Sequence, residues 1–147
     1  MSDKINPFEK KKKGVFFFKS SNPYEFYDLL NGKNMDDKQD VWGTLIFPEN
    51  VKKPCPLIIP IHGSAGLREG HHTHMVNLLD AGFAIFRIHH FESRGVISIV
   101  ENQTEVTLAS MITDAFRALT LVSKPVSYTH LRAHETDSYL VCRLLLE

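Results

Sequence analysis

Pro56-Leu57-Ile58-Ile59-Pro60-Ile61-His62-Gly63-Ser64-Ala65-Gly66 is an apolar run that stops abruptly in a loop of small residues. Leu57 to Ile61 is too uniformly apolar to have one wet face, which predicts a strand covered on both sides. The residues after it have almost no side chain, so backbone N–H groups lie open to whatever approaches. The stretch therefore reads as a buried strand that delivers main-chain donors to a site.

Working outward, Phe83 to Ile88 predicts a second buried strand. Between the two, Thr73 to Ala81 has helical spacing of Met75, Val76 and Leu79, with Gly82 placed to end the helix. Upstream, Gly14 to Lys19 and Val41 to Phe47 read as strands that pair as an antiparallel edge. Asn22, Pro23 and Glu25 have the spacing of a helix start, with Asn31-Gly32 as its end. Downstream, Leu108, Ile112, Ala115, Leu119 and Val122 recur at three and four residues, an amphipathic helix over Glu105 to Val122 with Asn102 and Glu105 as its capping pair. Strands alternating with helices imply an α/β class with parallel pairing. The expectation is a mostly parallel sheet with an antiparallel N-terminal edge and flanking helices.

The chain has 147 residues, with 17 Lys+Arg against 17 Asp+Glu. A balance of this kind argues against a general nucleic-acid binder, which carries a basic excess. Lys10 to Lys13 form the one charge run and read, with residues 1–13, as a solvated basic arm. No apolar run reaches a membrane span and no secretory leader is visible, so a cytoplasmic location is expected.

Residues 126–147 stand apart. Val126-Ser127-Tyr128-Thr129-His130-Leu131-Arg132-Ala133-His134-Glu135-Thr136 resembles the translation of a transposon-end sequencing adapter, and Tyr139 to Glu147 matches its distal part in the continuing frame. These residues are expected to be non-native and are set aside from fold reasoning. The remaining chain carries 15 basic and 14 acidic residues and one cysteine, Cys55, so no internal disulfide is indicated. A sheet interrupted at this point is expected to leave an apolar edge.

Four segments, in order and spacing, resemble the dienelactone-hydrolase branch of the α/β-hydrolases. They are Ser21-Asn22-Pro23, Trp42 to Pro48, His62-Gly63-Ser64-Ala65-Gly66, and Phe91-Glu92-Ser93-Arg94-Gly95-Val96. Asp114 to Leu119 is similar to the family's helix before the nucleophile strand. The resemblance covers nearly all of residues 15–125 and implies an incomplete α/β-hydrolase fold over 14–125, acting on a small ester or lactone without a cofactor. His89 and His90 depart from the family's usual acidic or small polar pair.

The chemistry that the resemblance implies is attack by a serine or cysteine on a strained strand–helix turn, with histidine as base and an acid orienting it. The negative charge of the tetrahedral intermediate needs two fixed N–H donors, one of them from the loop after the third strand. Ser64 is the expected donor and Ala65 the second choice, with His62, Gly63 and Gly66 supporting the loop. His62 is expected to orient that loop through a ring hydrogen bond rather than to act as base. No G-x-S-x-G elbow occurs, so nucleophile, acid and base are expected beyond Pro125, and this chain is expected to be inactive. Arg94 could clamp a substrate carboxylate or form a structural ion pair, and Asp114 reads as a capping or loop-anchoring carboxylate.

Two readings of other classes compete. His71, His72 and His74, with His89 and His90 a strand away, could hold a metal. Their spacing matches neither H-E-x-x-H nor a paired-cysteine site, so a solvated histidine loop is the expectation and no metal is assigned. A non-catalytic binding module of the same fold is the other. The oligomeric state is not legible.

Overall fold

The computed structural model describes residues 13–50, 55–123, 132–136 and 139–146. The basic arm expected over residues 1–13 lies outside them apart from Lys13. In chain order the elements are β1 (Lys13–Ser20), α1 (Phe26–Asn31), β2 (Gln39–Ile46), β3 (Cys55–Ile59), α2 (Glu69–Asp80), β4 (Ala84–Ile88), α3 (Leu108–Ser123), β5 (Arg132–Thr136) and β6 (Tyr139–Leu146). A 3-10 turn, Glu92–Arg94, follows β4.

The class is α/β, as expected. The first four strands form a mixed sheet in the order β1-β2-β4-β3, and β6 and β5 extend it beyond β3. The sheet is not mostly parallel. Among the described strands, β3 and β4 are the one parallel pair, because α2 supplies the single helical crossover between sheet neighbours. β1 pairs with β2 and β2 with β4 antiparallel. Tyr139–Leu146 lies antiparallel along β3, with Cys55 opposite Leu146 and Ile59 opposite Cys142, so the β3 edge expected to be open is paired.

Strand alternation divides the core into two layers. On one face Val41, Leu57, Ile59, Ala84, Phe86 and Ile88 pack with Met111, Ala115 and Leu119 of α3. On the other, Ile46, Ile58 and Ile85 pack with Met75 and Leu79 of α2. Each large aliphatic side chain buried this fully contributes roughly 1.5–3 kcal/mol. α2 does not reach the β1 end of its face, and Phe17, opposite Trp42 in the ladder, is left 75% exposed.

Four local expectations need correction. α1 starts at Phe26 with Glu25 at its N-cap, not at Pro23. The Asn22 carboxamide is engaged elsewhere: it donates to Gln39 Oε1 and accepts from Arg94 Nε. α2 starts at Glu69, so the histidines expected in a loop lie in its first two turns; His71 Nδ1 accepts the Arg68 N–H at 2.9 Å and closes the helix start. α3 is capped by Thr107, whose Oγ1 accepts the Ser110 N–H, whereas Asn102 Oδ1 serves Thr104. The inner stripe of α3 is also displaced. Leu108 is 57% exposed, and Met111, Asp114, Ala115 and Ala118 face inward.

Gly43 gives a direct test of the packing between β2 and β4. A Cβ there would sit 2.5 Å from the Phe86 ring and 3.1 Å from the Arg87 carbonyl oxygen. Phe86 is fully buried, so its ring can yield only by displacing its neighbours. Gly43→Ala is expected to lower unfolding free energy by about 1–3 kcal/mol in urea denaturation, as overpacking does. A change near zero would show that the ring relaxes freely.

Candidate functional site

The loops leaving the carboxyl ends of β3 and β4 meet, and ligands of open α/β sheets bind at such ends. After β3 the chain runs through Pro60, Ile61 and His62 into a tight turn in which the Gly66 N–H donates to the Gly63 carbonyl at 3.0 Å. Gly66 has φ +74°, and a Cβ there would stand 3.0 Å from the Ile97 carbonyl oxygen and 3.6 Å from the Phe91 ring. Only glycine suits both the left-handed backbone and that close approach. Ser64 O accepts the Ile99 N–H at 2.9 Å and the Ser98 hydroxyl at 3.3 Å, which bolts the turn to the loop after β4.

These bonds fix the two expected donors indirectly. A trans peptide is planar, so holding its carbonyl aims its N–H the opposite way. The Gly63 carbonyl is held by the Gly66 N–H and by His62 Nδ1 at 2.9 Å, which sets the Ser64 N–H. The Ser64 carbonyl is held by Ile99 and Ser98, which sets the Ala65 N–H. Among the described residues neither N–H donates to an internal acceptor. Both residues are partly exposed. The turn is thus a rigid pair of open main-chain donors.

His62 supports the loop in the expected manner. A carbonyl only accepts, so Nδ1 carries the hydrogen and Nε2 is left as a bare acceptor. The ring is 4% exposed, with its centroid 4.5 Å from that of Phe91 and 5.5 Å from that of His90, edge-on in both cases. Burial drives its pKa down to about 4, against the opposing pull of the Gly63 bond, so the ring is neutral at neutral pH.

A cavity of about 170 Å³ opens beside the turn. His62, Gly66 and Phe91 form part of its wall, whereas Ser64 and Ala65 do not. Among the described residues its charged groups are Arg87 and Glu92, joined at 3.0 Å. Burial would raise the Glu92 carboxyl, but hydrogen bonding with His89 and the main chain and the nearby Arg87 hold it down to about 2. His89 stacks on Trp42 with centroids 3.5 Å apart and meets Thr44 Oγ1 through Nε2 at 3.0 Å.

Arg94 does not face the cavity. Its guanidinium grips Asp114 with two bonds, at 2.8 and 3.0 Å, and donates to the His90 carbonyl, with only 6% of the side chain exposed. The substrate-clamp expectation therefore gives way to the structural ion pair. Asp114 does not cap a helix; it anchors the loop after β4 through His90 and Arg94. It is fully buried, accepts from His90 Nδ1 at 2.8 Å, and takes the Ser20 hydroxyl on its other oxygen. Burial opposes its ionisation, but the bonds from His90 and Arg94 overcome this and keep the carboxyl below its usual range. Sequence reasoning missed this cluster. The available signal was a carboxylate on the inner stripe of α3, a position that requires a partner.

This cluster is not a catalytic triad. Ser20 bonds the carboxylate rather than the imidazole, and His90 Nε2 has no partner among the described residues. The metal reading gains no support either. His89 and His90 turn to opposite sides, and among the described residues no three His, Cys, Asp or Glu side chains gather where an ion could sit. No described helix is long and apolar enough to cross a membrane. No protein-family model, no curated protein and no solved structure matches this chain.

The His62 shift predicts an acid limb in stability. Its folded pKa lies below the ordinary 6.5, so the unfolded chain binds the proton first. Stability is complete above about 6.5 and falls as pH drops toward about 4. His62→Asn keeps a donor for the Gly63 carbonyl and lacks the titrating ring, so it is expected to shrink that limb in urea melts taken across pH, the remainder coming from His72 and His89, whose pKa values burial also lowers. Asp114 and Glu92 add a second loss at lower pH, since both carboxyls are depressed and their contribution disappears as they protonate. Asp114→Asn should cost about 3–5 kcal/mol, as does breaking a buried ion pair from one side.

Proposed function

We propose that this chain is the N-terminal part of a dienelactone-hydrolase-like α/β-hydrolase, bearing one half of an oxyanion hole for ester or lactone cleavage. The observation that carries the reading is the Gly63–Gly66 turn, whose Ser64 and Ala65 N–H groups are aimed and unclaimed at the carboxyl end of the parallel pair. That is the position where main-chain donors stabilise charge developing on a substrate oxygen.

In this reading the substrate carbonyl lies against the turn, and its oxygen takes a hydrogen bond from Ser64 N–H, with Ala65 as the adjacent alternative. The bond strengthens as the oxygen becomes an alkoxide, so the turn favours the transition state over the ground state. His62 contributes by pinning the Gly63 carbonyl. Its low basicity makes it a poor proton acceptor near neutrality. Nucleophile, base, acid and the second oxyanion donor belong to sequence that would follow Pro125 in the parent protein. A cytoplasmic location and the non-native origin of residues 126–147 are parts of the same proposal.

The 147-residue chain is expected to give no turnover of a p-nitrophenyl ester above the buffer rate. Turnover that Ser64→Ala abolishes would overturn the proposal, since it would make the Ser64 hydroxyl a nucleophile. Sequencing the gene past the Lys124 codon is expected to reveal a G-x-S-x-G or G-x-C-x-G elbow. In that longer protein Ser64→Pro, which deletes the donor, should lower kcat by about 10²–10³.

A further inference from the structure

We infer that the cavity at the carboxyl ends of β3 and β4 takes small uncharged esters and lactones and turns away carboxylate-bearing ones. The inference rests on the hydrolase reading and narrows it to a substrate class.

Charge makes the selection. Among the described residues Arg87 is the one cation in the cavity wall, and the Glu92 carboxylate already sits on it at 3.0 Å. Arg94, in the turn after β4, does not line the cavity and is matched by Asp114. His62 is neutral near pH 7 and offers an acceptor, not a positive charge. An entering carboxylate would have to shed water without meeting an unmatched cation, and desolvating an ion without a partner is costly. It would also approach Glu92, which acts as a repulsive element of the kind that sets specificity. A neutral carbonyl incurs neither cost, and the open Ser64 and Ala65 donors stand at the adjacent turn.

Size and polarity agree. At about 170 Å³ the cavity is smaller than the roughly 300–1,000 Å³ typical of drug-sized ligands. Leu67, Val96 and Ile97 complete an apolar wall around Phe91. A lactone ring of a few heavy atoms suits this space, and a long acyl chain does not.

The test uses the unmodified 147-residue chain and a pair of ligands that differ by ring opening, γ-butyrolactone and the 4-hydroxybutyrate anion. Each is titrated at pH 7 while backbone amide resonances are followed by NMR. The lactone is expected to shift the amides of Gly63 to Gly66 and of Ile97, and to bind about tenfold or more tightly than the anion. Glu92→Gln, which unmasks Arg87, should raise anion affinity about tenfold. Equal or tighter binding of the anion by the unchanged chain overturns the inference, as does an absence of shifts with either ligand. An unmoved anion affinity in a folded Glu92→Gln does the same. If that variant fails to fold, the two ligands on the unchanged chain decide the matter. Failure of the hydrolase reading is distinguishable: lactone preference without an elbow in the gene sinks that reading alone, and an elbow with anion preference sinks the substrate class alone.

Discussion

The buried carboxylate of Asp114 is the constraint on which the rest of the structure depends. A charge of full exposure zero must be matched completely, and here Arg94, His90 and Ser20 together do so. Those partners come from the end of β1, the end of β4 and the turn after it, and Asp114 itself from the middle of α3. One ion therefore fixes the relative placement of four pieces of chain. Hydrophobic burial between the sheet and its helices supplies most of the stability, but it is non-directional. The polar cluster gives the arrangement its particular geometry.

The candidate site depends on that geometry at one remove. His90 and Arg94 bracket Phe91 and Glu92, so anchoring the first two places the second two in the cavity wall. Phe91 then backs both the His62 ring and Gly66. Further along the same loop, Ser98 and Ile99 hold the Ser64 carbonyl. Main-chain donors fixed in this way need little reorganisation when charge appears, which is the property that makes such donors effective.

β3 and β4 are legible in the sequence because strands apolar on both faces leave few alternatives, and the turn is legible because its residues are small, with Gly66 the position that requires glycine. What escaped detection was polar. Asn22 looked like a helix cap, yet its carboxamide finds tertiary partners that local spacing cannot reveal. The histidines of α2 looked like loop, because polar residues at a helix start imitate one. The α3 stripe drawn through apolar spacing includes the exposed Leu108 and passes over Thr113 and Asp114, which are buried with their hydrogen bonds met from within the fold. The parallel content was overestimated because alternation of elements does not specify which strands become neighbours. Arg94 was left between two roles, and only the position of its partner could decide between them.

The hydroxyl of Ser20 and the carboxylate it serves are separated by 94 positions along the chain. Joining such distant points costs closure entropy before any contact rewards it, and topologies rich in distant pairings reach the native state slowly. The hairpin of β1 and β2 can form early from neighbouring residues, while the polar lock waits for α3 to arrive. The polar lock thus joins the first strand to the last helix of the stretch 13–123, and the loops around the cavity take their final positions only where that long-range contact is made.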